Sequence, residues 1–308
     1  MKSMQFQGVD GALINVIYKK AKTKIGVVHI LHGMGEHAQR YEDFMTYLAD
    51  HGFTVYSHDH RGHGKSLKAN QDIGIFDKTD HFENIIKDID LLQKKILEIE
   101  KVESLYVLGH SMGSLILRRY LQMEPQHVKR AVIMGTLPYY SGFFSKTMQV
   151  LAQVTGLFYA PSKRHHLLAK FMNDGLIKVI ENPSSKFDWL TYNQANVETY
   201  IADPMSGFVY NKYFYQSFFK CIYQANKKSN IALTPAIECL FISGKDDPLS
   251  NQMKAIEHLV NLYTDLIPQL NTHIKTVEAA RHEVLHEDNK KETYAYLKDF
   301  FELGLKNQ

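Results

Sequence analysis

Gly109-His110-Ser111-Met112-Gly113 is a G-x-S-x-G sequence, and the chemistry open to it is nucleophilic attack. A serine hydroxyl is a weak nucleophile until a base takes its proton and a third group orients that base. The surrounding LYVLGHSMGSLILRRYL reads as a strand, a sharp turn and a helix. Such a turn strains the serine backbone, and small flanking residues let strand and helix approach each other. At the start of a helix, the free N–H groups and the dipole favour developing negative charge. An acid is expected downstream, and Phe241-Ile242-Ser243-Gly244-Lys245-Asp246-Asp247-Pro248 supplies two after a strand. Asp247 is preferred for its Gly-x-x-Asp spacing, with Asp246 as the alternative and helix capping as the structural use of either. The base should come last, in the loop after the final strand. There Ala279-Ala280-Arg281-His282-Glu283 offers His282, with His286 as competitor. Acyl transfer also needs donors for an oxyanion. The backbone N–H of Met112 is one candidate, and that of Met34 in His32-Gly33-Met34-Gly35 is the other. The two methionine side chains would line a pocket adaptably.

His282-Glu283-Val284-Leu285-His286 is also an H-E-x-x-H sequence. As a zinc site it would need a helix through both histidines and a third ligand, for which Glu302 is the available residue. The segment before it reads as a strand, so a zinc metallohydrolase is a remote alternative, and neither metal nor organic cofactor is expected.

The elements that must position these groups follow a regular pattern at both ends of the chain. Met4–Ile17 reads as a hairpin turning at Asp10-Gly11. Lys24–Leu31 is a nearly continuous apolar run, as expected of a strand buried on both faces, and Phe53–Ser57, Ser104–Leu108, Val128–Met134, Cys239–Ser243 and His273–Val277 also read as strands. Helices are expected around Tyr41–Asp50, His81–Glu100, Met112–Gln122, Gln252–Tyr263 and Glu292–Phe301; in the second, Ile85, Ile89, Leu92 and Ile96 share one face. Strands alternating with helices imply an α/β fold with a mainly parallel central sheet and helices on both sides. After Pro138 the alternation stops, and an aromatic-rich helical segment intervenes. The chain therefore divides into a first core part (1–137), an inserted helical cap or lid (138–234) and a second core part (235–308). In the cap, Val150, Leu151, Val154, Leu157 and Phe158 form one apolar helical face. Its structural use is packing onto the α/β domain. Its functional use is lining an acyl tunnel or touching a lipid surface.

Composition narrows the class. In 308 residues, 36 basic and 33 acidic side chains leave 36 − 33 = +3. With 44% hydrophobic and 22% charged residues, wholesale disorder, collagen and coiled coil are excluded. The near-balanced charge gives no reason to expect nucleic acid as a partner. Cys221 and Cys239 lack zinc-ligand spacing and read as buried thiols of a reducing compartment. The first twenty residues lack a signal-peptide apolar run, and no stretch reaches about 18 uninterrupted apolar residues. A cytoplasmic protein is expected, with nothing to indicate its oligomeric state.

Four segments together carry a family resemblance: His32-Gly33-Met34-Gly35-Glu36-His37-Ala38-Gln39-Arg40-Tyr41, Asp59-His60-Arg61-Gly62-His63-Gly64-Lys65-Ser66, Gly109–Gly113 and Arg281-His282-Glu283-Val284-Leu285. In this order they resemble the monoacylglycerol lipase and lysophospholipase branch of the α/β-hydrolases, over nearly the whole chain except the cap. The resemblance implies Ser111 as nucleophile, Asp247 as acid, His282 as base, and backbone donors at Met34 and Met112. It makes the first two segments scaffold, with Glu36 and Arg61 tying loops together. The implied function is hydrolysis of a small lipid-like acyl ester, a monoacylglycerol or a lysophospholipid, through an acyl-enzyme. Proline-iminopeptidase-like members share these motifs. For an aminopeptidase or amidase, an acid in the cap would have to hold a substrate ammonium, and Glu181, Asp188, Glu198 and Asp203 are available.

Overall fold

The computed structural model describes residues 1–67, 71–79, 82–123 and 125–306. Strands β1 (Lys2–Gln7), β2 (Leu13–Lys19), β3 (Gly26–Leu31), β4 (Phe53–His58), β5 (Leu105–His110), β6 (Val128–Met134), β7 (Glu238–Gly244) and β8 (Asn271–Val277) form one sheet. Their order is β1-β2-β4-β3-β5-β6-β7-β8. The β1–β2 and β2–β4 pairs are antiparallel, and the remaining pairs are parallel. Among the described residues, ten helices accompany the sheet: α1 (Glu42–Asp50), α2 (Phe82–Glu100), α3 (Met112–Leu121), α4 (Gly142–Gly156), α5 (His166–Ile177), α6 (Gln194–Ala202), α7 (Lys212–Asn226), α8 (Lys228–Ile231), α9 (Lys254–Leu266) and α10 (Lys290–Lys306). The expected α/β architecture is the one that forms. His81, expected to open the helix that begins at Phe82, lies outside the described residues. None of the described helices is long and apolar enough to cross a membrane.

Period-two alternation sorts the central strands between two cores. Val27, Leu31, Leu105 and Val107 pack with α2, α3, α7 and α9, while Val28, Ile30, Tyr106 and Leu108 pack with α1 and α10. Parallel strands covered on both faces bring their carboxyl ends to one edge, where ligands of such sheets bind. The loops after β3, β5, β7 and β8 meet there.

Between β6 and β7 the chain leaves the sheet and builds α4 to α8. Here the structure corrects one expectation. The stripe of Val150, Leu151, Val154, Leu157 and Phe158 does not pack onto the α/β layer. All five are exposed, Leu157 at 79% and Phe158 at 84%. Instead α4 buries Ser145, Met148, Ala152 and Gly156. A Cβ on Gly156 would lie 2.6 Å from Gln216 Nε2 of α7, so small residues decide which face can approach. The large apolar side chains remain outside.

One buried cation ties this insertion to the core. Arg118 of α3 is 0% exposed. Its guanidinium donates to Leu137 O at 3.1 Å, where the insertion begins, and to Asn226 Oδ1 at 2.9 Å, at the end of α7. Its other partners, Tyr263 Oη and Thr136 Oγ1, are also neutral. Truncation would strand buried acceptors, each worth about 1–3 kcal/mol. Arg118→Ala should therefore lower the unfolding free energy by about 2–4 kcal/mol, read as a lower urea midpoint at unchanged slope. Arg119→Ala, which loses a bond to Gln122 one turn along, should stay within about 0.5 kcal/mol. Equal midpoints for the two variants would contradict the anchoring role.

Candidate active site

Ser111 caps the N-terminus of α3 with φ 52° and ψ −117°, a backbone state that a side-chain-bearing residue reaches only when its surroundings impose it. They do so from both sides. A Cβ on Gly109 would stand 2.4 Å from Gly113 O, and one on Gly113 would stand 2.2 Å from Leu31 O. Neither position accepts any other residue, so β5, β3 and α3 approach backbone to backbone. The Ser111 N–H donates to Met134 O at 2.9 Å, and the Ser111 carbonyl accepts from Ser114 Oγ at 2.6 Å.

The loops after β7 and β8 bring Asp247 and His282 together. His282 Nδ1 is 2.9 Å from Asp247 Oδ2. The same carboxylate accepts from Ser243 Oγ at 3.0 Å and from the Leu249 N–H at 2.9 Å. Both residues are buried. Burial alone would depress the imidazole's pKa, but the Asp247 charge and hydrogen bond, helped by Glu283 and Glu36, hold it above 6.5. Burial would raise the Asp247 pKa, yet His282 and the other donors keep it below the usual value. The second imidazole nitrogen, Nε2, is buried and has no hydrogen-bond partner among the described residues. His282 and Ser111 line one cavity of about 560 Å³. The rings of His110 and Trp189 lie 4.9 and 4.8 Å from the His282 ring, and Gly135 leaves room for it, since a Cβ there would come within 3.2 Å.

The competing residues are engaged elsewhere. Asp246 accepts from Tyr192 Oη at 3.0 Å and Gln252 Nε2 at 3.2 Å. His286 sets Nε2 3.1 Å from the Arg40 carbonyl. The H-E-x-x-H segment lies in turns between β8 and α10, so its two imidazoles do not share a helical face. One is committed to Asp247 and the other to Arg40. Glu302 pairs with Lys298 on α10. The residues do not fit a zinc site.

Met34 and Met112 line the same cavity, and neither backbone N–H donates a hydrogen bond among the described residues. Beneath them is a hub whose full extent sequence reasoning missed. Glu36 accepts from the Gly33 N–H at 2.5 Å, Tyr41 Oη at 2.8 Å and Arg40 Nη1 at 2.6 Å, while His110 Nδ1 lies 3.1 Å away. Arg40 also grips Glu283 bidentately at 2.6 and 2.8 Å. Burial would raise the Glu36 pKa, but Arg40 and then His110 hold it well below the usual carboxylate range. The loop after β3 is thereby tied to the loop carrying His282. The resemblance gave Glu36 a loop-tying role, but nothing in the sequence pointed to Arg40 as its partner or from Arg40 to Glu283. Arg61, as expected of scaffold, bonds Asp88 at 2.7 and 2.8 Å.

Known proteins share this arrangement of elements. A carboxyl esterase from Bacillus coagulans, solved in complex with glycerol, superimposes with a TM-score of 0.89 at 20% identity, covering 99% of this chain and 98% of that one. A lipase in an open form gives 0.87 at 23% identity, with 99% of both chains covered. These likenesses show the α/β-hydrolase fold. The monoglyceride lipase of Homo sapiens is 26% identical over 188 residues, 61% of this chain, which bears out the resemblance read from the motifs. The chain spans about half the length of the curated relatives it matches, 54% in that case. A family model described as "Serine aminopeptidase, S33" matches residues 22–289. That span opens just before β3 and closes after the loop bearing His282, so it includes every strand-end loop that builds the site, and the chain belongs to the serine aminopeptidase S33 family of α/β-hydrolases.

Proposed function

We propose that this chain hydrolyses carboxylic esters of lipid-like substrates, a monoacylglycerol or a lysophospholipid, with Ser111 as nucleophile, His282 as base and Asp247 as the acid that orients it. The observation that carries this reading is the buried Asp247–His282 pair whose unpartnered Nε2 shares a cavity with a strained serine. His282 Nε2 takes the Ser111 proton as Oγ attacks the ester carbonyl. The tetrahedral oxyanion is held by the N–H groups of Met34 and Met112. The imidazolium gives its proton to the departing alcohol, and water then releases the acid by the same route. No metal or organic cofactor enters these steps.

The substrate class rests on the cavity wall. Leu137, Met148, Phe218, Phe219 and Ile222 line it, a surface suited to an acyl chain. The segment 138–234 acts as a cap over this site, and the exposed Leu157–Phe158 end of α4 meets a lipid surface transiently. An aminopeptidase would need an unpaired acid facing the cavity, and none of the four cap candidates lines it. Asp188 is taken by Ser184 and Ser185, and Asp203 by His37 and Ser206. Glu36, Asp174 and Glu283 do line it, but each already has a cation, Arg40 for the two glutamates and Lys170 for Asp174. The two buried cysteines, their thiols pushed up to about 12 by burial, suit a reducing cytoplasm.

Three outcomes test this reading. Ser111→Ala should fold, lose fluorophosphonate labelling and lose on the order of 10⁴–10⁶ in kcat; retained labelling would place the nucleophile elsewhere. Because the base must be neutral to act, log kcat/KM should rise with pH to a midpoint above 6.5. Asp247→Asn should move that limb to lower pH and reduce kcat on the order of 10⁴, while Asp246→Asn changes neither. A wild-type midpoint below 6.5 would contradict the Asp247–His282 coupling. With p-nitrophenyl esters, kcat/KM should climb roughly fourfold per added methylene, about 0.8 kcal/mol each, from acetyl to about octanoyl. A profile falling from acetyl onward would point to a short-chain esterase or a peptidase.

A further inference from the structure

The segment between β6 and β7 does more than roof the cavity: its side chains grip the backbone beside Met34. Gly35 (φ +65°) donates its N–H to Tyr210 Oη at 2.6 Å. Its carbonyl accepts from Tyr200 Oη at 2.8 Å and from the Gly207 N–H at 2.8 Å. All three partners lie between β6 and β7. The approach is close enough that a Cβ on Gly35 would sit 3.2 Å from Tyr200 Oη.

The hydroxyl of Tyr210 is fully committed. Its oxygen accepts from Gly35, and it lies 2.7 Å from His63 Nε2. His63 Nδ1 faces the Arg61 carbonyl at 3.1 Å, which can only accept, so Nδ1 carries the proton. Burial lowers the His63 pKa to about 3, leaving the ring neutral and Nε2 an acceptor. The Tyr210 O–H therefore donates to His63 while its oxygen receives Gly35. The chain runs unbroken from the Arg61 carbonyl through His63 and Tyr210 to Gly35. The Tyr210 backbone belongs to the insertion, since its carbonyl accepts from the His165 N–H at 2.8 Å.

Peptide groups are planar, so holding one end of a peptide unit fixes the other. The unit before Met34 is held at its carbonyl by His32 Nδ1, 2.8 Å from Gly33 O. The unit after it is held at its N–H by Tyr210. The Met34 N–H is the far end of the first unit, and with the second unit fixed on the other side of the Met34 Cα it is left one direction. We infer that Tyr210 is a positioning residue for the oxyanion donor at Met34, so that the seated cap completes the catalytic machinery as well as enclosing the substrate. The inference rests on the proposed ester hydrolysis and on Met34 as a donor. It adds that a displaced cap leaves the oxyanion site unformed.

Tyr210→Phe keeps the ring on Phe214 and removes only the oxygen. Deleting one oxyanion donor costs on the order of 10²–10³ in kcat, and a donor allowed to swing should forfeit roughly 10–100-fold. With p-nitrophenyl butyrate, kcat should fall by that factor while KM stays within about threefold. An alkyl boronic acid, whose oxygen occupies the oxyanion site once bound to Ser111, should lose affinity in parallel with kcat/KM. An alkanol of the same length, which binds only the apolar wall, should not. A purely structural role would weaken both ligands or neither. Should Tyr210→Phe fail to fold by urea titration, Tyr200→Phe carries the test, with an expected kcat loss of about 3–10-fold and the same split between ligands. Unchanged kcat, or a change confined to KM, in the folded variant overturns the clamp. If wild type hydrolyses the ester with labelling at Ser111 while the variant matches it, the clamp alone fails. If wild type is inert, the ester-hydrolase reading fails and takes the clamp with it.

Discussion

A serine at φ 52° is the constraint around which the rest of this structure is arranged. Backbone in that region costs about 1–3 kcal/mol and persists only when neighbours leave no alternative. Here α3 is driven against the sheet so tightly that Gly109 and Gly113 have no space for a methyl group. That approach depends on β5 lying in the middle of the sheet with β3 and β6 beside it. The burial of the central strands and their covering helices thus appears at the site as one turn that cannot relax. What the fold supplies is a fixed location and heading for a hydroxyl.

The electrostatics follow from that geometry. Three carboxylates sit near the imidazole within a buried region, and they are used differently. Asp247 touches His282 directly and keeps its charge through two further donors. Glu36 and Glu283 share Arg40 instead. A buried ion pair of this kind contributes little net stability after desolvation. Its role is better described as alignment: it fastens the loop after β3 to the loop after β8, the two loops whose relative position sets the distance between Met34 and His282.

How much of this could be read beforehand depended on the range of the interaction concerned. The central strands were legible because burial on both faces leaves continuous apolar runs. Ser111 and Asp247 were legible as positions because each stands just past such a run, and His282 because it follows the last strand, the half-exposed edge strand β8. The helix expected from Gln252 begins instead at Lys254, because Asn251, Gln252 and Met253 take left-handed backbone with φ 47°, 53° and 69°, and no glycine signals that turn. On α4 the large apolar side chains are no guide to burial, because close packing against α7 selects small residues. Arg40 and Glu283 are 243 positions apart, and Tyr210 reaches Gly35 across 175. No local pattern encodes pairings at those separations.

Arg118 gives the inserted segment a different kind of significance. By fastening Leu137 and Asn226 with one side chain, the core closes the loop that the insertion makes, whatever lies inside it. Doubling a loop costs only about 0.6 kcal/mol in closure entropy, a small sum beside the order imposed at its two ends. Between those two ends the insertion can vary in length at little entropic cost, but α7 fills part of the core beside β3, β5 and α2, so any exchange must bring a helix that takes its place. A replacement that keeps the same hold on the loop after β3 must also carry a hydroxyl in reach of Gly35.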